Sequence, residues 1–176
     1  SKLGVISPSF QAKIRFFKAL MSYNGCMKFH TLFLNSVPIL EQLYIEEALL
    51  RADDRNICLV NTGSPPAIVM GISGKREELL HEERVEVPVI RRFSGGGTVY
   101  VDEETIFVTL ICNEKDVPIP SHPRPIMEWG HSFYKPLFEG MGLLENDFVF
   151  ENLKFGGNAQ CIRKGRWLLH TSFLCD

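Results

Sequence analysis

The feature that most constrains this chain is a run of three glycines set between two β-rich segments. It reads Val89-Ile90-Arg91-Arg92-Phe93-Ser94-Gly95-Gly96-Gly97-Thr98-Val99-Tyr100. Consecutive glycines carry a large entropic penalty on folding. Such a run persists where backbone approaches a ligand closely or where φ must be positive. Successive N–H groups in a turn of this kind form an anion-binding nest, and the flanking arginines add fixed positive charge. The residues that follow are β-branched and aromatic, so a strand resumes at once. A P-loop or a dinucleotide-binding fingerprint would open a helix there, which argues against both. An ordinary glycine-rich hairpin with solvated arginines has the same pattern.

The rest of the composition narrows the class. A chain of 176 residues that is 45% hydrophobic has the size of one domain with a real core. A formal net charge of −2 gives no ground for nucleic-acid binding. The five cysteines, Cys26, Cys58, Cys112, Cys161 and Cys175, are dispersed without a metal-ligand spacing. They read as reduced, mostly buried thiols. No apolar run approaches the ~20 residues needed to cross a membrane.

Residues 1–40 hold no Asp or Glu but include Lys2, Lys13, Arg15, Lys18 and Lys28. Phe10 to Met21 can form an amphipathic helix in this stretch. Its composition is that of an organellar transit peptide, pointing to a mitochondrion or plastid, or of a basic surface helix on a cytoplasmic protein. The division expected is a basic N-terminal segment, 1–27, ahead of a folded domain, 28–176.

Periodicity predicts a strand over Lys28–Asn35 and a helix from Pro38 to Arg51, with Glu41, Glu46 and Glu47 facing outward. Short strands follow at Ile57–Val60 and Ala67–Met70, then a charged helix over Lys75–Arg84. Strands Val87–Phe93 and Thr98–Val101 bracket the glycines, and Thr105–Cys112 reads as a central strand. Lys115–Pro125 is a loop, and Ile126–Met141 a helix that Pro136 kinks or divides. Three strands close the chain: Phe148–Glu151, Lys154–Ile162 and Trp167–Leu174.

A second outlier is Leu153-Lys154-Phe155-Gly156-Gly157-Asn158-Ala159-Gln160. A lysine at an apolar strand start, followed by two glycines, marks a place where another group comes close. An ammonium near a dry interior is costly unless an anion meets it. At ~4 Å and an effective dielectric of ~20, a carboxylate or phosphate returns roughly 4 kcal/mol of Coulomb energy. A lysine reaching water from a strand end is the plainer alternative.

Taken together, the arginine–triple-glycine stretch, Lys154 to Gln160, and His170-Thr171-Ser172-Phe173-Leu174 resemble the lipoate–protein ligase A/B and biotin-ligase-like family, most closely its lipoate–protein ligase branch. The resemblance runs from about Phe29 to Leu174. It implies an α/β (α+β) domain like the catalytic core of class II synthetases and biotin ligases, with a mixed sheet and flanking helices. It also implies an acyl transfer in two stages. ATP, with Mg²⁺, activates lipoate or octanoate as an acyl-adenylate, and a lysine of a lipoyl domain then attacks the mixed anhydride. Acceptors would be the E2 subunits of 2-oxoacid dehydrogenases and the glycine-cleavage H protein, with the ligase a monomer.

Carried over by this resemblance, Lys154 is the catalytic cation at the acyl carboxyl and α-phosphate. Arg91, Arg92, Ser94, Gly95, Gly96, Gly97, Gly156, Gly157, Asn158 and His170 bind substrate or adenylate. Asn146 and Asp147 lie on the nucleotide side, Asp147 as a metal ligand, although both also suit a turn. Strands around Val69, Val89 and Phe107 are the expected apolar lining for the acyl chain. His170 also reads as a hydrogen-bonded strand histidine. The chain departs from the family pattern in having Val101-Asp102 where many members have His-Asp. It also stops soon after His170-Thr-Ser-Phe-Leu174, as a truncated member would. Two alternatives stay open: an ATP-independent octanoyl or lipoyl transferase working through a cysteine thioester, and a non-catalytic module that binds lipoyl domains. The ligase reading requires Lys154 and Gly95–Gly97 to face one cavity.

Overall fold

The computed structural model describes residues 27–174. The amphipathic stretch at Phe10–Met21, and the N-terminal segment generally, lie outside them.

The chain forms β1 (His30–Asn35), α1 (Ile39–Ala52), β2 (Ile57–Thr62), β3 (Ala67–Met70), α2 (Arg76–Leu79), β4 (Val89–Arg91), β5 (Val99–Val101) and β6 (Ile106–Asn113). Then come α3 (Pro123–Tyr134), β7 (Met141–Leu144), β8 (Asp147–Phe150), β9 (Leu153–Arg163) and β10 (Arg166–Phe173). Seven strands make one sheet in the order β1-β2-β6-β10-β9-β8-β7, and β4-β3-β5 make a second. β1 pairs parallel to β2 and the other neighbours in the large sheet are antiparallel. This is the expected α/β class, built on a mixed sheet with few helices.

The alternation of side chains along β6 explains how the sheet holds two layers apart. Ile106, Val108, Leu110 and Cys112 pack with Ile126, Met127, Phe133 and Tyr134 of α3. Phe107 instead joins Ile39 and Leu43 of α1 and the small sheet, and Ile111 joins Leu50. β10 obeys the same parity: Trp167, Leu169 and Phe173 lie on the α3 side, Leu168 on the α1 side. Position 170 therefore shares its face with Leu168 and looks toward α1. All eight residues of β6 are buried, which fits an apolar strand deep in a sheet.

Several expected elements differ. The charged helix over 75–84 shrinks to the single turn α2 and a 3-10 turn at Glu82–Arg84. Nothing in α2 is buried, and so short a helix has little stability without an anchored face. α3 begins at Pro123, inside the expected loop, since proline suits a first helical turn. It stops at Tyr134 and passes into a 3-10 turn over Lys135–Leu137, where Pro136 interrupts the helical hydrogen bonding. Met141–Leu144 is a strand, not a helix end: Gly140, at φ +81°, turns the chain and β8 supplies the partner. Four strands, not three, thus close the chain.

The largest correction concerns α1. Glu46 does not face outward; it is 0% exposed. The buried positions of α1 are Ile39, Gln42, Leu43, Glu46 and Leu50, one continuous stripe at helical spacing. Glu46 falls on that stripe, and polar partners on the sheet make its burial tolerable.

Candidate acyl-phosphate site

The glycine turn is built from within by Arg92. This side chain is 5% exposed, and its guanidinium donates to the carbonyls of Val69, Gly95 and Gly97 at 2.8 to 3.3 Å. Its fork thus clamps the turn onto β3. Burial lowers its pKa, with the Glu46 carboxylate acting in the opposite direction. Arg91 points the other way. It donates to the carbonyls of Ile72 and Gly74 and is not among the residues lining the cavity described below.

The three glycines serve different ends. Gly96 takes φ +101°, a left-handed conformation, and a Cβ there would lie 2.8 Å from the Arg92 Nη2. Gly95 and Gly97 lack positive φ, and a Cβ on either would meet nothing within 4 Å. Their bareness satisfies no need of the chain's own packing. It keeps space open in front of the backbone. Behind the turn, Gly71 gives close approach: a Cβ there would be 2.0 Å from the Gly96 carbonyl oxygen.

Opposite the turn stands β9. Lys154, Gly157, Asn158, Ala159 and Gln160 line the same cavity of about 550 Å³ as Gly95, Gly96 and Gly97. The meeting that the ligase reading requires is therefore present. Lys154 is not in a dry interior, however. Its side chain is 46% exposed, and its Nζ pairs with Asp147 Oδ2 at 2.9 Å. A pair so exposed contributes no more than about 1 kcal/mol to stability. Asn146 and Asp147 also line the cavity, and the Asn158 amide donates to the Asn146 carbonyl at 3.0 Å, holding that turn in place. Gly156 lies elsewhere, packed between Phe148 and Phe173.

The apolar part of the cavity is supplied by Ile39 and Leu43 of α1 together with Val69, Val99 and Phe107. Val89 is not in the lining. A second hollow of about 490 Å³ shares Val99, Lys154, Gly157 and Ser172 with the first and extends to Tyr100, Phe155 and Leu174. Two recesses thus meet at Lys154.

His170 lines the cavity from β10 and is bonded on both ring nitrogens. Nδ1 donates to Glu46 Oε2 at 2.9 Å, and Nε2 lies 2.6 Å from Ser94 Oγ. Ser94 itself is 1% exposed and does not line the cavity. An outward-facing row of glutamates hides Glu46, and with it Gln42, from sequence reasoning. The 39-43-46-50 spacing was the available signal.

Among the described residues no group of three His, Cys, Asp or Glu stands together as a ready metal site. Cys58 and Cys112 are buried, Cys161 is partly so, and none of the three lines the cavity. No helix of the described residues is long and apolar enough to cross a membrane.

A bare backbone turn and a lysine facing each other beside an apolar recess define a domain suited to an anionic head on a hydrocarbon tail. Residues 38–176 match the family model described as the lipoyl protein ligase A/B catalytic domain, and the chain belongs to that family. A lipoate–protein ligase of Streptococcus pyogenes is 29% identical over 148 residues, covering 80% of this chain and 42% of the relative. A Plasmodium falciparum protein named inactive lipoate–protein ligase 2 is 23% identical, covering 78% of this chain and 53% of its own length. The chain thus spans about half the length of these curated relatives. In fold it is similar to a putative lipoate protein ligase of Thermoplasma acidophilum solved with bound lipoic acid (TM-score 0.68, 22% identity, 84% of this chain and 68% of the other). A lipoate–protein ligase A bound with ATP is equally similar (TM-score 0.68, 22% identity, 84% and 67%).

Proposed function

We propose that this domain activates the carboxyl group of lipoate, or of octanoate, with ATP and passes the acyl group to a lysine of a lipoyl domain. The observation that carries the proposal is the single cavity onto which Lys154 and the glycine turn both open. In the first step a carboxylate oxygen attacks the α-phosphorus, the bond to pyrophosphate breaks, and an acyl-adenylate forms. In the second, an acceptor amine attacks the acyl carbon, loses a proton, and AMP departs.

The first step brings two anions together, so fixed positive charge and backbone donors must offset their repulsion. Lys154 is placed to do this where the two recesses meet. The apolar recess beside Leu43, Val69 and Phe107 takes the hydrocarbon, each buried methylene contributing about 0.8 kcal/mol. The nucleotide takes the side of the same cavity lined by Asn146 and Asp147. Asp147 suits a magnesium ion, which typically takes one or two carboxylates and completes its shell with phosphates and water. Such an ion would neutralise phosphate charge.

Acceptors in this proposal are the E2 subunits of 2-oxoacid dehydrogenases and the glycine-cleavage H protein, with the ligase a monomer. The acid-free, basic residues 1–40 favour a mitochondrial or plastid setting. A cysteine-thioester mechanism finds no support among the described cysteines, none of which lines the cavity. A second reading, a lipoyl-domain-binding module without turnover, is favoured by the likeness to the relative named as inactive.

The deciding experiment is lipoate-dependent exchange of labelled pyrophosphate into ATP. The ligase gives exchange that Lys154→Ala abolishes while the protein stays folded. Lipoyl-domain binding without exchange supports the module instead, and exchange undiminished in Lys154→Ala refutes the role given to that lysine.

A further inference from the structure

Beneath the glycine turn runs a chain of buried polar groups. Asn61 Nδ2 donates to Gln42 Oε1 at 2.9 Å, and Gln42 Nε2 donates to Glu46 Oε1 at 2.6 Å. Thr109 Oγ1 donates to the same oxygen at 2.6 Å, and His170 Nδ1 donates to Oε2 at 2.9 Å. With its Nδ1 proton directed at Glu46, His170 presents Nε2 to the Ser94 hydroxyl at 2.6 Å. Asn61, Gln42, Glu46, Thr109 and Ser94 are each at most 1% exposed. Each of these links has a donor facing an acceptor, which favours one arrangement of a buried network, and Asn61 Oδ1 at its far end has no protein partner.

We infer that Glu46 is a positioning residue: acting through His170 and Ser94, it fixes the glycine turn at the height that lets an acyl carboxylate reach Lys154. The inference rests on the ligase reading for its consequence, but its structural part stands apart from it. A fully buried carboxylate on α1 is connected to the residue immediately before Gly95 by way of a side chain that lines the cavity. Arg92 fixes the same turn from its own carbonyls, and neither anchor alone reaches both ends. Arg92 holds Gly95 and Gly97; the Glu46–His170 arm holds Ser94.

The order Ser–His–Glu is also that of a hydrolytic triad. Here the serine is sealed from the cavity, so the arrangement restrains the turn and makes no acyl-enzyme.

The test uses three amides that report the position of the turn: Gly71 N–H to Gly97 O, Ile72 N–H to Ser94 O, and Gly95 N–H to Gln160 O. Hydrogen exchange at these amides is compared in wild type, Glu46→Gln, Ser94→Ala and the double variant. Each single change is expected to speed their exchange about tenfold while amides of β6 stay protected. The double variant is expected to fall at least about threefold short of the product of the singles, since both cut one connection. Lipoate KM should rise in Ser94→Ala with kcat of pyrophosphate exchange nearly unchanged. Product-like behaviour of the double variant, or wild-type exchange at all three amides, overturns the inference even if Glu46→Gln lowers overall stability. A wild type that neither binds lipoate nor exchanges pyrophosphate defeats the ligase reading instead, and the amide measurements still decide the connection.

Discussion

Replacing Gly95 by alanine separates a glycine kept for folding from one kept for a ligand. The added methyl meets no atom within 4 Å, and the backbone does not occupy the left-handed region. Folding stability should therefore change by less than about 0.5 kcal/mol, or rise by up to ~1 kcal/mol because the unfolded chain loses freedom. Gly95 does stand at the border of the cavity that Lys154 lines. If substrate packs against bare backbone there, the intrusion should cost about 1–3 kcal/mol, as overpacking does in a tight interior. That corresponds to a loss of roughly 5- to 150-fold in affinity. Urea denaturation gives the first quantity; lipoate binding and pyrophosphate exchange give the second. Gly71→Ala is the control, because its methyl would stand 2.0 Å from the Gly96 carbonyl oxygen and must push the turn away. That variant should lose stability and binding together. A Gly95→Ala protein that binds lipoate with undiminished affinity, or that loses more than ~2 kcal/mol of stability, refutes the reasoning.

Buried groups make the remaining outcomes measurable. Arg92→Ala strands the carbonyls of Val69, Gly95 and Gly97 and should cost about 2–4 kcal/mol in chemical denaturation. Lysine, a point charge without the planar fork, should restore only part of it; a loss under ~1 kcal/mol in Arg92→Ala would contradict the clamp. Burial pushes the Cys58 thiol up to about 12, and Cys112 rises for the same reason, so both stay protonated in the fold at pH values where the unfolded chain ionises. The unfolded state then binds fewer protons than the folded one, so stability should fall as pH climbs from the ordinary thiol value of 9.0 toward about 12. A thiol reagent at pH 8 should leave Cys58 and Cys112 untouched until unfolding, and rapid labelling of either in the native protein would show that the sheet interior is open.

Much of the architecture could be read directly from the chain. The unbroken apolar, β-branched run Thr105–Cys112 located the buried strand to within a residue, and Gly95–Gly97 announced a special turn by their composition alone. The pairing of that turn with Lys154 was legible only as a conjunction of two motifs. The charged helix over 75–84 failed for want of a buried face: Arg76–Leu79 has the charge pattern of a longer helix but nothing to pack on. Met141–Leu144 became a strand because β8 lies beside it, a partner that no local pattern reveals.

The sequence by itself determined the elements with a strong period, β6 and α1 among them, and it marked the bare turn and the lysine motif as the two unusual stretches. Tertiary structure decided what each charge does. Arg91 and Arg92 are adjacent in sequence, yet one binds carbonyls outside the cavity and the other is buried as the clamp of the turn. Glu46 and Glu47 are also neighbours; the first lies beneath the site and the second pairs with Arg51 on the surface. Residue type sets whether a side chain is charged. Its environment, which only the assembled sheets and helices supply, sets whether that charge meets water, a backbone carbonyl or a substrate.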